Sequence, residues 1–321
     1  TTTASFSADF AIGAVEGKGL TTATATDGDE AIQATYGFQI DLTTSFSGED
    51  SLDISIDAGN GASGNALSEF DLNGGSDHLA VDGVMYTFPL GDSMTAFVGD
   101  NTDGSALFTT ACTYGGPSNT LDDCGNVNAG ITGGGTAAGV SYDFDNGFTV
   151  AAGYAGEVKS GIVTGSGKVT GTTTSGLMTD EGLDAYAFNA AYTTDTYGIS
   201  VTYATVETKT TAGVDDEDVF TAVNGYWSPE GFPSISIGYE MGEDGDVTDK
   251  AADEVSSFFV GLQFDDFGPG TFGVAMGTKE QTVQNTDEEY MYEAYYTYDI
   301  NDGMSITPLI YVKEELSLIH I

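Results

Sequence analysis

Phe258-Phe259-Val260-Gly261-Leu262-Gln263-Phe264 runs into a turn at 265–271, and Phe272 starts the chain back. Phe258, Val260, Leu262 and Phe264 share one parity, while Phe259, Gly261 and Gln263 share the other. That period of two is what a β-strand imposes on its side chains, and helical spacing does not fit it. An aromatic ring stands on each side of the turn. The same arrangement recurs at turns near 47–51, 89–93, 145–147, 193–198, 228–233 and 299–303. Their flanking rings are Phe46, Phe88, Phe144 with Phe148, Tyr192 with Tyr197, Trp227 with Phe232, and Tyr298. Strands that repeatedly place a ring at one end describe a band of aromatics at one level. A transmembrane β-barrel needs such a girdle where hydrocarbon meets headgroups, and a soluble β-protein does not.

Alternation extends along the rest of the chain. Ile199, Val201 and Tyr203 alternate with Ser200, Thr202 and Ala204, and Tyr290, Tyr292, Ala294, Tyr296 and Tyr298 bracket Met291, Glu293, Tyr295 and Thr297. Fifteen candidate strands emerge, most of them near the 9–11 residues that cross a bilayer when tilted. The short turns alternate with longer connections at 16–30, 60–78, 102–135, 158–183, 209–218, 243–254 and 282–288. Short turns on one side and long loops on the other are the asymmetry of outer-membrane barrels. The expected fold is therefore all-β, a transmembrane antiparallel barrel. Single-chain bacterial barrels have even strand counts, so fifteen strands imply about 16 when complete, with the last missing. Residues 1–315 read as a single domain, because no linker or change of composition divides them. Leu316-Ser317-Leu318-Ile319-His320-Ile321 breaks the alternation, and 316–321 reads as a non-native tail.

Composition narrows the functional classes. Fifty Asp and Glu stand against 7 Lys and no Arg, for a net charge of −43. Such a chain cannot neutralise phosphates, so nucleic acid is excluded as a partner. No apolar run reaches the length of a membrane helix, but a barrel shows lipid only alternate residues. Catalysis finds no support. His78 has no nucleophile motif around it, His320 lies in the suspect tail, and no phosphate-binding loop precedes a helix.

The longest loop, 102–135, holds both cysteines, Cys112 and Cys124. In an exported protein they are expected to pair, and closing so short a loop contributes about 3 kcal/mol in the chain-entropy model. With no His or third Cys near them, no metal site is expected there. A long loop of this kind often folds inward and narrows a barrel, so Asp103, Asp122 and Asp123 are the candidate constriction residues. An ordinary surface loop is the alternative. Strand parity puts Asp9, Gln39, Asp41, Asp53, Asp57, Asp143, Asn189, Glu240, Gln263 and Glu293 opposite the apolar face, where an acidic side chain must meet water in the lumen. Asp27-Gly28-Asp29-Glu30, Asp215-Asp216-Glu217-Asp218 and Asp244-Gly245-Asp246 lack the spacing of a calcium loop. No cofactor is expected beyond loosely bound Ca²⁺ at these loops.

Three segments carry a family resemblance. Ser45-Phe46-Ser47-Gly48-Glu49-Asp50-Ser51-Leu52 resembles the Ser-Phe-Thr-Gly-Glu-Asp-Leu-Leu turn of cyanobacterial outer-membrane porins, the marine picocyanobacterial type above all. Asp57-Ala58-Gly59-Asn60 follows it as the family's Gly-Asn pair does. Tyr86-Thr87-Phe88-Pro89-Leu90-Gly91-Asp92 resembles the family's Tyr-Thr-Phe-Pro-Val-Gly-Asp hairpin. The resemblance implies a sixteen-stranded barrel, usually a homotrimer in outer-membrane lipid, passing small solutes and inorganic ions. Family members often carry an S-layer-homology region and a coiled coil before the barrel. Neither is visible, which fits a fragment that starts after them, and no residue carries the family's carbohydrate-selective label. The expected function is a passive outer-membrane channel, not an enzyme, and the acidic excess predicts a preference for cations. A secreted or surface-bound acidic β-protein with a structural or adhesive role is the alternative.

Overall fold

The computed structural model describes residues 1–15, 32–61, 67–74, 77–132, 135–156, 163–164, 168–169, 177–178, 183–209, 215–243, 254–314 and 319–320. The principal strands begin with β1 (Thr2–Val15), β2 (Gln33–Thr44), β3 (Ser51–Gly59), β4 (Ala80–Pro89) and β5 (Met94–Asp100). They continue with β6 (Thr136–Asp143), β7 (Phe148–Gly156), β8 (Asp184–Thr193), β9 (Tyr197–Lys209) and β10 (Asp215–Trp227). Then come β11 (Ser234–Glu243), β12 (Glu254–Phe267), β13 (Gly270–Thr278) and β14 (Tyr290–Asn301). The pieces Met304–Ile306 and Leu309–Lys313 form an interrupted β15. Its break falls at Pro308, which lacks an N–H to give, although the Pro308 carbonyl still accepts the Tyr296 N–H at 3.1 Å.

Each principal strand pairs antiparallel with the next. The result is one sheet of 18 strands when the β15 pieces, Thr282–Val283 and Ile319–His320 are counted separately. Two stacked sheets, the arrangement of a soluble sandwich, do not occur among the described residues. Ile319–His320 pairs with β15 on one side and with Ala14–Val15 of β1 on the other, so the two edge strands meet across this two-residue bridge. Residues 316–318 and 321 of the suspect tail lie outside the described residues.

The faces of the sheet are unequal. Phe188 is 61% exposed, Ile199 54% and Ile237 54%. Ser200, Ser236 and Glu240, on the opposite parity, are buried. A soluble protein would bury the first set and solvate the second; here the order is inverted, as an apolar solvent around the sheet requires. The core therefore lies on the polar side of the sheet. One cluster joins Tyr114 and Leu121 of the long loop to Phe259, Met291, Leu309 and Tyr311 of the wall, and another joins Ile131 to Ala187, Ala204, Ala222 and Val255. The inward alanines are small because a loop lies against them.

The short turns sit at one end, and at several of them the rings touch. Phe46, Tyr86 and Phe88 form one run, Tyr142, Phe144 and Phe148 a second, and Phe264, Phe267, Phe272 and Tyr296 a third, with centroids 4.6–6.4 Å apart. At the first turn the Asp50 carboxylate accepts from the N–H and Oγ of Ser47, from Ser45 Oγ and from Tyr86 OH. These bonds, those of Ser47 first, hold its carboxyl far below the usual carboxylate range.

Candidate functional site

The described part of the long loop, residues 102–132, leaves β5 and crosses the inner face of the sheet. Four alternate backbone N–H groups on the outward journey meet four wall side chains on different strands. Thr109 donates to Asn189 Oδ1 of β8 at 3.0 Å, and Ala111 to Ser200 Oγ of β9 at 2.9 Å. Thr113 donates to Ser236 Oγ of β11 at 3.0 Å, and Gly115 to Gln263 Oε1 of β12 at 2.8 Å. A loop in extended conformation offers one N–H per two residues to one side, and the strands beneath it supply acceptors at matching intervals.

The return journey is held differently. Asn224 Nδ2 of β10 donates to the Cys124 carbonyl at 2.9 Å, and Ser257 Oγ of β12 donates to the Gly125 carbonyl at 3.2 Å. Glu240 of β11 accepts from the Asn128 N–H, from Asn128 Nδ2 and from the Ala129 N–H, at 2.8–3.1 Å. Tyr114 OH donates to Glu293 Oε1 of β14 at 2.5 Å, and burial followed by that carboxylate raises the Tyr114 hydroxyl far above its ordinary value. Two glycines permit the contact: a Cβ on Gly238 would strike the Cys124 carbonyl, and one on Gly153 the Gly104 carbonyl. Cys112 and Cys124 are joined in a disulfide with their Cα atoms 6.5 Å apart, tying the outward arm to the return arm.

Register connects this wall to the wall the loop leaves uncovered. Thr43 faces Asp53, Asp53 faces Met85, Met85 faces Gly99, and Gly99 faces Ala137. The same parity runs on through Ala155 and Ala185. Gln39, Asp41, Asp53 and Asp57 therefore share the inner face with Asn189, Glu240, Gln263 and Glu293. They form a polar strip on β2 and β3: Gln39 Nε2 donates to Asp41 Oδ1 at 2.7 Å, Ser55 Oγ to the same oxygen at 2.7 Å, and Thr43 Oγ1 to Asp53 Oδ1 at 2.8 Å. Asp9 lies on this face at an exposed part of β1, opposite Gly37. Asp143 is exposed at the end of β6 and caps its own turn, accepting the Asp145 N–H at 2.8 Å.

The loop carboxylates separate into two places. Asp103 is exposed at the start of the loop, beside Gly104, which packs on β7. Asp122 and Asp123 lie at its far turn. Burial, and then the nearby Asp71, hold the Asp122 carboxyl up at about 6. Burial first, and then Asp122 and Glu240, hold Asp123 at about 7 against the Gly125 N–H that it accepts. Glu240 and Glu293 face inward as parity requires, yet neither lines open water, because the loop covers both. Ser200, Ser236 and Asn224 were not singled out by the sequence. Their signal was present: a polar residue facing inward on each neighbouring strand at matched register.

Among the described residues no group of three or more His, Cys, Asp or Glu is placed to hold a metal ion. Asp27–Glu30 and Asp244–Asp246 lie outside the described residues, as do the side chains of Asp215 and Asp216.

No family model and no curated protein matches the chain. Solved structures do. A mutant of the Rh. blastica porin is 12% identical, and the match covers 99% of this chain and 97% of that one with a TM-score of 0.60. Pseudomonas putida OprB, in its high-pH structure, is 12% identical over 98% of this chain and 91% of that one, again with a TM-score of 0.60. The chain has the fold of a porin β-barrel.

Proposed function

We propose that the chain is an outer-membrane porin of the marine picocyanobacterial type, a passive channel for small solutes and inorganic ions that prefers cations. It carries out no reaction. Its apolar outer face meets outer-membrane lipid, and a homotrimer is its working state. The observation that carries the reading is the long loop held by side chains along one half of the inner wall. It narrows the lumen and leaves a polar strip on β2 and β3, with Asp41, Asp53 and Asp57, along the passage. Asp103, Asp122 and Asp123 are the acidic groups that the loop contributes.

Selectivity follows from charge. Carboxylates around a narrow aqueous path lower the energy of a cation there and raise that of an anion. The sequence has no Arg, and both described lysine side chains, Lys279 and Lys313, are paired to glutamates, so neither opposes the acids of the passage. The test is reconstitution in planar bilayers under a salt gradient. Ohmic single-channel steps with a reversal potential of the cation-selective sign are expected; a potential of the anion-selective sign rejects the preference, and an absence of channels rejects the porin.

A further inference from the structure

The connection between β3 and β4 enters the lumen as well. Leu67 is buried there, and Phe70, in the short 3-10 turn Ser68–Phe70, packs against the cluster of Tyr114 and Leu121. The Asn119 N–H donates to the Glu69 carbonyl at 2.8 Å, and the Thr120 N–H to Glu69 Oε2 at 3.3 Å. The other oxygen of Glu69 pairs with Lys313 of β15. Lys313 faces inward by register, opposite Met291 and so on the parity of Gly277 and Phe259. Behind the turn, Asn73 Nδ2 donates to the Phe38 carbonyl of β2 at 3.2 Å, and the Gly61 N–H to the Asn73 carbonyl at 3.2 Å. One loop thus lines the wall from β5 round to β14, the other spans from β2 and β3 to β15, and they meet at Glu69.

We propose that the two loops form one collar around the passage, latched at Glu69, and that Asp71 and Asp122 together set its selectivity between ions. This rests on the porin reading and assigns it a filter. Asp71 follows the latch directly and is fixed in the left-handed region, φ 43°, with its N–H donating to the Ser68 carbonyl. Among residues with a side chain, Asp is one of the few that visit that region readily, and the conformation fixes where its carboxylate starts from. Asp71 and Asp122 keep solvent exposure, although the Asp122 carboxyl is partly withdrawn from water, while Glu69 and Glu293 are buried. Lys313, the cation at this junction, is committed to Glu69.

The charges that act on Asp122 are Asp71 and Glu69 from the β3–β4 connection, Asp123 from its own loop and Glu293 from β14, with Lys313 of β15 bound to Glu69. Asp71 is the charge that acts on Asp122 most strongly, and with burial it keeps that carboxyl near 6. Below that pH the pair carries one charge fewer and attracts cations less.

The test uses the full chain in planar bilayers, comparing wild type, Asp71→Asn, Asp122→Asn and the double variant, with strand content checked by circular dichroism. Each single substitution is expected to lower the potassium-to-chloride permeability ratio by about fivefold, and the double variant to lower it by less than the product. The wild-type ratio should fall as pH drops through about 7 to about 6; Asp122→Asn should shrink that step to the part carried by Asp123, and Asp71→Asn should move the Asp122 part to lower pH. Cation-selective channels whose ratio and pH step ignore Asp71→Asn overturn the filter but leave the porin intact. A wild type that forms no channels removes both.

Discussion

At the residue scale, the inner wall is built from small polar side chains whose work is to hold a loop. Ser200 and Ser236 are each 1% exposed and each accept one backbone N–H. Glu240 matters more, because it satisfies Asn128 and Ala129 together. Replacing Glu240 with Ala strands the part-buried Asn128 N–H and the buried Ala129 N–H, each costing about 1–3 kcal/mol, whereas Gln keeps one acceptor. Hydrogen exchange at the Asn128 and Ala129 amides is expected to accelerate about 30-fold or more in Glu240→Ala and clearly less in Glu240→Gln. Unchanged exchange in Glu240→Ala means that Glu240 does not hold the loop. Parity points Glu240, Gln263 and Glu293 away from the apolar face. It could not tell that a loop covers them, because cover comes from residues more than 100 positions away, such as Asn128 on Glu240 and Tyr114 on Glu293.

Single elements carry the fold's clearest sequence signals. Hairpins such as Phe258–Phe272 were legible because alternation and the aromatic-flanked turn are both local. The β3–β4 connection was not. Ser68-Glu69-Phe70 has no periodicity, and its role depends on Lys313 and Asn119, which only the closed-up sheet brings near. The long loop was legible in part: its length and its cysteine pair were visible, but its path over β8 to β12 was not. Hydrogen bonds fix both arms independently of the disulfide, so Cys112→Ser with Cys124→Ser should leave the loop seated. Thermal unfolding should show a loss of about 3 kcal/mol, while single-channel conductance stays within about twofold of wild type. A conductance several times larger means that the disulfide, and not the wall, keeps the loop inside.

At the scale of the molecule, the sheet, the girdle and the charge agree with one another. Rings from Phe46 to Tyr296 mark one level at the turn end, and above it the outward residues are apolar on strand after strand. The inward residues are acids, hydroxyls, amides and small side chains. An inside-out sheet of this kind is stable only where the outside is hydrocarbon and the inside is wet. That statement can be measured directly with single nitroxide labels on the protein in lipid vesicles. Labels at Val201 and Ile237 sample the outer face, and labels at Thr43 and Ser55 the inner. The first pair is predicted to collide with dissolved oxygen and to escape a water-soluble nickel complex, and the second pair to do the reverse. Equal access of the nickel complex to both pairs would contradict the barrel's orientation toward lipid, and with it the channel.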